Sequence, residues 1–357
     1  MPIASFAPAA FYGIVISALA GTVRQAAPIR EDIVRVKIFA AALLVTLAAT
    51  TAPAQNQTYP DRQVRIIIPF PPGGSIDTLG RILSDKLGAL WSQSVVIENR
   101  AGAGGMVGSS VAAQAAPDGY TLNFGGQFMA ANVTIAPSQT FDPVKNFTPV
   151  ILVATGQDAL MVPASSPFNS VNEVIYYAKA HPNELTYASL GIGSSGQLAS
   201  TLFSEVAGIS LQHVPYNSFS QAVTDVSAGR ISLWLTTLGG SIGHIQAGKL
   251  RALAVSGPTR AAQLPDVPTF DELGVAYGND TSWYALFAPA ATPADVIEKI
   301  NAGINRVLTD ADMKERATKL GFRLVGGAPE ELGAKLKSEI DKWAKVANAA
   351  GLAAAKE

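Results

Sequence analysis

The residues of this chain that could do chemistry sit at glycine-rich junctions between apolar runs. Gly191-Ile192-Gly193-Ser194-Ser195-Gly196 matches the dinucleotide fingerprint G-x-G-x-x-G and lies between a predicted strand and a predicted helix. In that motif the glycines let backbone amides approach a pyrophosphate. The supporting acid is missing, because no Asp or Glu closes a following strand about twenty residues on. An uncharged, amide-lined ligand loop therefore outranks a nucleotide site. Gly239-Gly240-Ser241-Ile242-Gly243 matches the G-x-S-x-G nucleophile elbow, again between a strand and a helix. A hydrolase of that kind needs an acid and then a histidine well downstream, yet the only later histidine is His244, in the same predicted helix. His181, at a helix end before Pro182, and His213, within a strand, offer neither a triad nor a metal pair at ligand spacing. Each histidine reads as structural. A serine esterase built on Ser241 stays as a rival reading. Trp234 and Trp283 fall at strand ends, where they serve either the core or a ligand wall.

The most informative junction runs from Val64 to Asp77. Val64-Arg65-Ile66-Ile67-Ile68 reads as a buried strand, and Ile76, Leu79, Ile82, Leu83, Leu87 and Leu90 recur at helical spacing. Pro69-Phe70-Pro71-Pro72-Gly73-Gly74-Ser75 between them makes a stiff turn. Its prolines fix φ and lack an N–H, its glycines permit close approach, and Ser75 is a good N-cap. Such a turn aims the helix's unpaired amides and the positive end of its dipole outward, which suits a small carboxylate with no Lys or Arg nearby. The same residues also read as an ordinary loop between strand and helix. Asp77 either binds a ligand amine or complements the helix dipole.

A chain of 357 residues with 48% hydrophobic content can build two domains of ordinary size. Its 26 basic and 27 acidic residues leave no extended basic footprint for nucleic acid. The absence of cysteine removes disulfides, thiolate metal sites, a cysteine nucleophile and a bacterial lipobox. Arg30, Arg35 and Lys37 precede an apolar run from Ile38 to Ala49, and Ala52-Pro53-Ala54 offers a small-x-small cleavage pattern. A cleavable signal ending near Ala54 is expected, with export to the periplasm. The earlier apolar stretch from Ala4 to Gly21 lacks a basic lead and contains Pro8. It reads as a membrane span or, preferably, as an extension upstream of a start near Val36.

From Val64 onward apolar runs alternate with amphipathic ones, the pattern of an α/β protein with largely parallel sheets. Strands are expected at Val95 to Glu98, Tyr120 to Phe124, Phe147 to Ala154, Leu185 to Leu190, Leu211 to Val214, Ile231 to Thr236, Leu250 to Ser256 and Phe322 to Val325. Thr281 to Pro289 looks like a return crossing. Ser170 with Glu173, Thr292 with Asp295 and Thr309 with Asp312 are expected to cap helices. A last helix is expected from Pro329 to Ala349, with a disordered tail after Gly351. Several strands end in Ser, Tyr, Asn, Thr or Gly, and carboxyl ends of strands are where open α/β sheets bind ligands.

One set of motifs resembles a known family in order along nearly the whole mature chain. It comprises Tyr59-Pro60-Asp61-Arg62, Ile68-Pro69-Phe70-Pro71-Pro72-Gly73-Gly74-Ser75-Ile76-Asp77, Glu98-Asn99-Arg100-Ala101-Gly102-Ala103-Gly104-Gly105, Pro117-Asp118-Gly119-Tyr120-Thr121-Leu122, His213-Val214-Pro215-Tyr216, Gly248-Lys249-Leu250-Arg251-Ala252-Leu253-Ala254-Val255 and Leu264-Pro265-Asp266-Val267-Pro268-Thr269. These resemble the Bug family, the extracytoplasmic solute-binding receptors of tripartite tricarboxylate transporters. The resemblance implies a type II periplasmic-binding-protein fold, two α/β lobes joined by two crossover strands. The expected divisions are an extension and signal at 1–54, the first lobe at 55–157 and 281–357, and the second lobe at 158–280.

It further implies a non-enzymatic receptor without cofactor or metal, a monomer that delivers a small carboxylate to membrane permease subunits. A receptor feeding a sensor kinase is the alternative. The implied ligand residues of the first lobe are Phe70, Pro72, Gly73, Gly74, Ser75, Asp77, Gly125, Gln127 and Trp283. Those of the second lobe are Ser189, Gly193, Ser194, Ser195, Tyr216, Asn217, Ser218 and Thr236. Two departures bear on the ligand. The family commonly has Lys-Gly-Gly where this chain has Asn217-Ser218-Phe219, and an aspartate where it has Thr236. Losing both charges implies a ligand whose far end is neutral or apolar, aromatic acids included.

Overall fold

In the computed structural model, residues 59–135, 141–278 and 282–349 are described. The expected signal segment, the Ala4 to Gly21 stretch and the tail after Gly351 lie outside them. Among the described residues no helix is long and apolar enough to cross a membrane.

The first lobe is built on the apolar run at Val64. β1 (Val64–Ile68) is buried on both faces apart from Arg65, as a near-continuous β-branched run in a covered sheet should be. It pairs in parallel with β2 (Val95–Asn99) and β3 (Thr121–Gly126). Helix α1 (Ser75–Trp91) follows β1, and α2 (Met106–Ala113) follows β2 after a turn of 3-10 helix at Ala103–Gly105. α3 (Gln127–Ile135) starts directly at the end of β3. The strand β4 (Phe147–Gly156) then carries the chain out of this sheet. Only Gln157 separates it from β5 (Asp158–Pro163), the central strand of the second lobe.

The second lobe continues as α4 (Val171–Ala180), β6 (Thr186–Ser189), α5 (Ser195–Ala207), β7 (Gln212–Pro215), α6 (Phe219–Ser227), β8 (Trp234–Thr237), α7 (Leu238–Gln246) and β9 (Leu250–Val255). β8 and β9 flank β5 antiparallel, while β6 and β7 pair in parallel. The return strand β10 (Ser282–Pro289) inserts between β3 and β4, antiparallel to both. The first lobe ends with α8 (Ala294–Leu308), α9 (Ala311–Lys319), β11 (Phe322–Leu324) and α10 (Pro329–Ala349), giving a sheet ordered β11-β4-β10-β3-β1-β2.

The sheets are therefore mixed rather than largely parallel. A chain that leaves the first lobe at the end of β4 must re-enter from that same end, so β10 runs against its neighbours. Two elements escaped the sequence reading. β5 is buried at every position and shows no alternation, and α3 is buried through its first six residues, which removes the amphipathic period. Two caps also differ. Thr292 Oγ1 donates to the Pro289 carbonyl, 2.7 Å away, instead of capping α8, and Asp310 rather than Thr309 accepts from the Met313 N–H at the start of α9. The Ser170 cap of α4 is present: its hydroxyl accepts from the Glu173 N–H at 3.2 Å.

Helix α10 closes the first-lobe core with Leu332, Leu336 and Trp343, all packed with the β-sheet residues. Trp343 is 1% exposed and its indole N–H donates to Glu339 at 3.0 Å. Trp343→Ala is expected to cost about 3–5 kcal/mol in denaturant unfolding, the range for a buried aromatic truncated to alanine. An unchanged midpoint would mean that this helix is not part of the lobe's core.

Candidate ligand-binding site

The strand ends of both lobes converge on one crevice, and helices begin there. Five N-termini contribute to its lining: Gly74, Ser75 and Ile76 at α1, Gly126 and Phe128 at α3, Ser194, Ser195 and Gly196 at α5, Phe219 at α6, and Thr236 and Thr237 at α7. Each helix start presents N–H groups that have no partner inside the helix, together with the positive end of its dipole. Phe70, Leu190, Trp234, Trp283 and Tyr284 complete the walls. Among the described residues no charged side chain lines the crevice. Its total space unfilled by atoms is about 570 Å³, of which the centre of a water molecule can reach about 50 Å³, so this is a narrow cleft suited to a small solute.

The lobes touch across this cleft. The Ser75 hydroxyl donates to the Thr237 carbonyl at 3.1 Å and accepts from the Gly240 N–H at 2.7 Å. The expected N-cap role for Ser75 is thus replaced: Gly74 occupies the cap position of α1, and the serine bridges the lobes. Asn132 on α3 donates to the Gly193 carbonyl at 3.3 Å. Beside it Gly104 packs on the Ile192 backbone so closely that an added Cβ would lie 1.9 Å from the carbonyl oxygen. At the crossover, Asp158 accepts from Thr237 Oγ1 at 3.1 Å and from Ser282 Oγ at 2.8 Å. Burial raises the pKa of the Tyr284 hydroxyl, outweighing its hydrogen bonding to Thr237 and Ser75. It stays a neutral phenol.

Seven of the residues singled out in the sequence line the cleft: Phe70, Gly74, Ser75, Ser194, Ser195, Thr236 and Trp283. The other ten do not. Asp77 is buried at 3% exposure and fully engaged. It accepts from the Gly73 N–H, from Arg81 through both oxygens and from Asn99 Nδ2, at 2.9–3.0 Å. Burial pushes its pKa up, but those bonds and the Arg81 charge outweigh it and hold the carboxyl below its ordinary value. It clamps the turn, takes up the Gly73 amide and leaves no oxygen turned to a ligand amine. Pro72 is an exposed turn residue. Ser189 holds the next loop in shape, donating to the Gly191 carbonyl and lying 2.6 Å from His213 Nε2. Gly193 is spent on loop closure, since its N–H meets Gln197 Oε1 and its carbonyl meets Asn132. Gly125 and Gln127 are buried on either side of Gly126, which does reach the cleft.

The Tyr216-Asn217-Ser218 segment turns away. Tyr216 donates to Asp225 at 3.0 Å, Asn217 is exposed, and Ser218 caps α6 by accepting from Gln221. The residue that enters the cleft is the next one, Phe219. The aromatic wall of Phe128, Phe219, Trp234 and Tyr284 is the part the sequence reading underweighted. Its signal was available in the aromatics placed at predicted strand ends and helix starts.

The rival chemistries lose their geometry. Ser241 sits inside α7 with no exposure, and its hydroxyl has no hydrogen-bond partner. His244 shares that helix, and burial lowers its pKa, with Lys249 adding to the effect. His213 stacks on Tyr187, and burial lowers its pKa as well. Among the described residues no cluster of His, Cys, Asp or Glu could hold a metal ion.

Two α/β lobes joined by crossover strands, with a cleft of helix N-termini between them, define a periplasmic-binding-type solute receptor. The chain belongs to the family described as the tripartite tricarboxylate transporter family receptor, whose model matches residues 79–352. It is 36% identical to the "UPF0065 protein in tcbD-tcbE intergenic region" of Pseudomonas sp. (strain P51), over 89% of this chain and 95% of that one. Among solved structures it is similar to periplasmic binding protein BugD, with 30% identity and a TM-score of 0.79, covering 83% of this chain and 99% of that one. It is equally similar to an R. palustris protein solved with adipate, with 34% identity, a TM-score of 0.79 and the same coverage.

Two outcomes follow from the geometry. Asp77→Asn loses the charge that Arg81 grips, so unfolding at pH 7 should become easier by about 1–3 kcal/mol. Because the folded carboxyl titrates below the unfolded value of ~3.9, its stabilisation is present above that value and is lost as pH falls through the folded one. Urea midpoints of the two proteins should therefore converge in strong acid, and a gap that persists there would refute the charge account. Gly104→Ala places a methyl against the Ile192 carbonyl at a backbone φ of 61°. It is expected to weaken solute binding by at least about tenfold with a much smaller effect on lobe stability. Calorimetric titration showing unaltered affinity would mean that the lobes do not need this contact.

Proposed function

We propose that this protein is a periplasmic receptor that closes on a small carboxylate with a neutral or apolar far end and delivers it to a tripartite tricarboxylate transporter. The observation that carries the reading is a cleft walled by aromatic residues and helix N-termini, with no charged side chain in its lining among the described residues. A carboxylate satisfies the unpaired amides and the converging dipoles without a lysine or arginine. The rest of the ligand meets rings of Phe70, Phe128, Phe219 and Trp234. An amino-acid ammonium would be desolvated there without a carboxylate to pair with, since Asp77 is held by Arg81 and Asn99. The Trp283 indole N–H, buried with no partner among the described residues, offers a donor to a ligand oxygen.

The related R. palustris protein solved with adipate supports a carboxylate as the captured group. Closure gives the receptor its signal. A solute that touches both lobes stabilises only the shut form, and a permease that contacts both lobes reads that form. The predicted signal segment before Gln55 and the family's periplasmic members support export. Among the described residues the lining holds hydroxyls but no histidine, carboxylate or lysine to activate them, which supports a solute that is carried rather than converted.

A thermal-shift series on the exported chain tests this. Benzoate and phenylacetate at about 100 times their dissociation constants should each add roughly 2.7 kcal/mol and raise Tm, whereas aspartate and glutamate should not. Preference for the amino acids would overturn the proposed far end. Thr236→Asp puts a negative charge in the lining and is expected to weaken carboxylate binding by at least about tenfold.

A further inference from the structure

A second cleft lies behind the crossover, and its walls come from both lobes. The sheet order sets β4 and β10 between β11, which lines this rear cleft, and β3 and β1, whose ends feed the front one. It offers water about 800 Å³, against about 50 Å³ in front. Among the described residues three cations line it and no carboxylate does: Arg260 after β9, Lys314 on α9 and Arg323 on β11. The overall charge of the protein is only −1, so this is a local concentration of positive charge. Neighbouring acids are already committed. Glu272 pairs with Arg260, Asp312 with Lys86, and Glu315 with Lys319. Among the described residues neither Lys314 nor Arg323 makes an ion pair, and both are exposed.

The backbone adds a second feature. β11 is the terminal strand of its sheet, so one row of its peptide groups has no neighbouring strand. A short edge and flanking cations discourage pairing with most strands, so an extended chain that docks here must carry the opposite charge. We propose that the rear cleft docks an extended acidic segment of a partner protein. The segment would lie along β11, with its carboxylates on Lys314 and Arg323 in the first lobe and Arg260 in the second.

The site bears on closure. Gln263 in the second lobe donates to the Thr318 carbonyl in the first across this cleft. Rotation of the lobes about the crossover moves Arg260 relative to Lys314 and Arg323, so a docked segment senses whether the front cleft is shut. That coupling rests on the receptor reading above, while the docking itself does not and is measured without solute.

The test uses fluorescence anisotropy of the full exported chain with a labelled short peptide of alternating Glu and Ser, at low salt. The double variant Lys314→Glu with Arg323→Glu should bind it at least about tenfold more weakly, with carboxylate binding in the front cleft unchanged. A control with Lys345→Glu and Lys337→Glu on α10, matched in net charge, should bind the peptide like the unmodified protein. Equal loss in both variants would show general charge attraction and overturn the site. So would failure of the peptide to bind at all. Citrate bound as tightly as the peptide, with the same loss in the double variant, would overturn the segment in favour of a small-anion pocket.

Discussion

The structure depends on helix N-termini being gathered at one place. Five helices begin at the crevice between the lobes, and each brings amides that its own helix cannot satisfy. One such terminus is a weak anion site, screened by solvent. Several aimed at one narrow, aromatic-walled space form a preorganised site without any formal charge. Such an arrangement favours an anion without lysine or arginine. Fixed dipoles also avoid the side-chain entropy that long cationic residues lose on binding.

Such a site works only if the turns that hold it are rigid and the lobes can meet at backbone distance. Asp77 meets the first need by gathering Gly73, Arg81 and Asn99 around one buried carboxylate, which stiffens the turn before α1. Glycines meet the second. Gly104 against Ile192 and Gly193 against Asn132 bring the lobes together where no Cβ would fit. Ser75 adds a hydroxyl that bonds both ways across the same gap. At the crossover, Asp158 collects Thr237 from one lobe and Ser282 from the returning strand. Short polar contacts thus join the two lobes, each with an apolar core, and Leu198 of the second lobe packs into the core of the first.

The glycine junctions, most strands and the length of the final helix were legible because they rest on local rules. Apolar β-branched runs, helical spacing and Gly or Pro punctuation hardly depend on the rest of the chain. What escaped was whatever burial on all sides had made featureless, as in β5 and α3. The direction of β10 escaped as well, since it follows from where the chain re-enters a sheet. In the site, residue types were legible and their aim was not. Asn217 and Phe219 are two positions apart, yet the start of α6 turns the first to solvent and the second into the cleft.

The sequence by itself determined that the chain is α/β and that its strand ends carry amides and hydroxyls instead of charges. Those are properties of composition and short spacing. Tertiary structure alone decided that Asp77 is captured by Arg81 and Asn99, that Ser75 bridges lobes instead of capping a helix, and that aromatic rings from both lobes face one another. Asp77 and Arg81 lie one helical turn apart, but Asn99 reaches them only once β2 lies beside α1, and Ser75 and Gly240 meet across 165 positions. Only the folded backbone sets which partner comes within hydrogen-bonding distance.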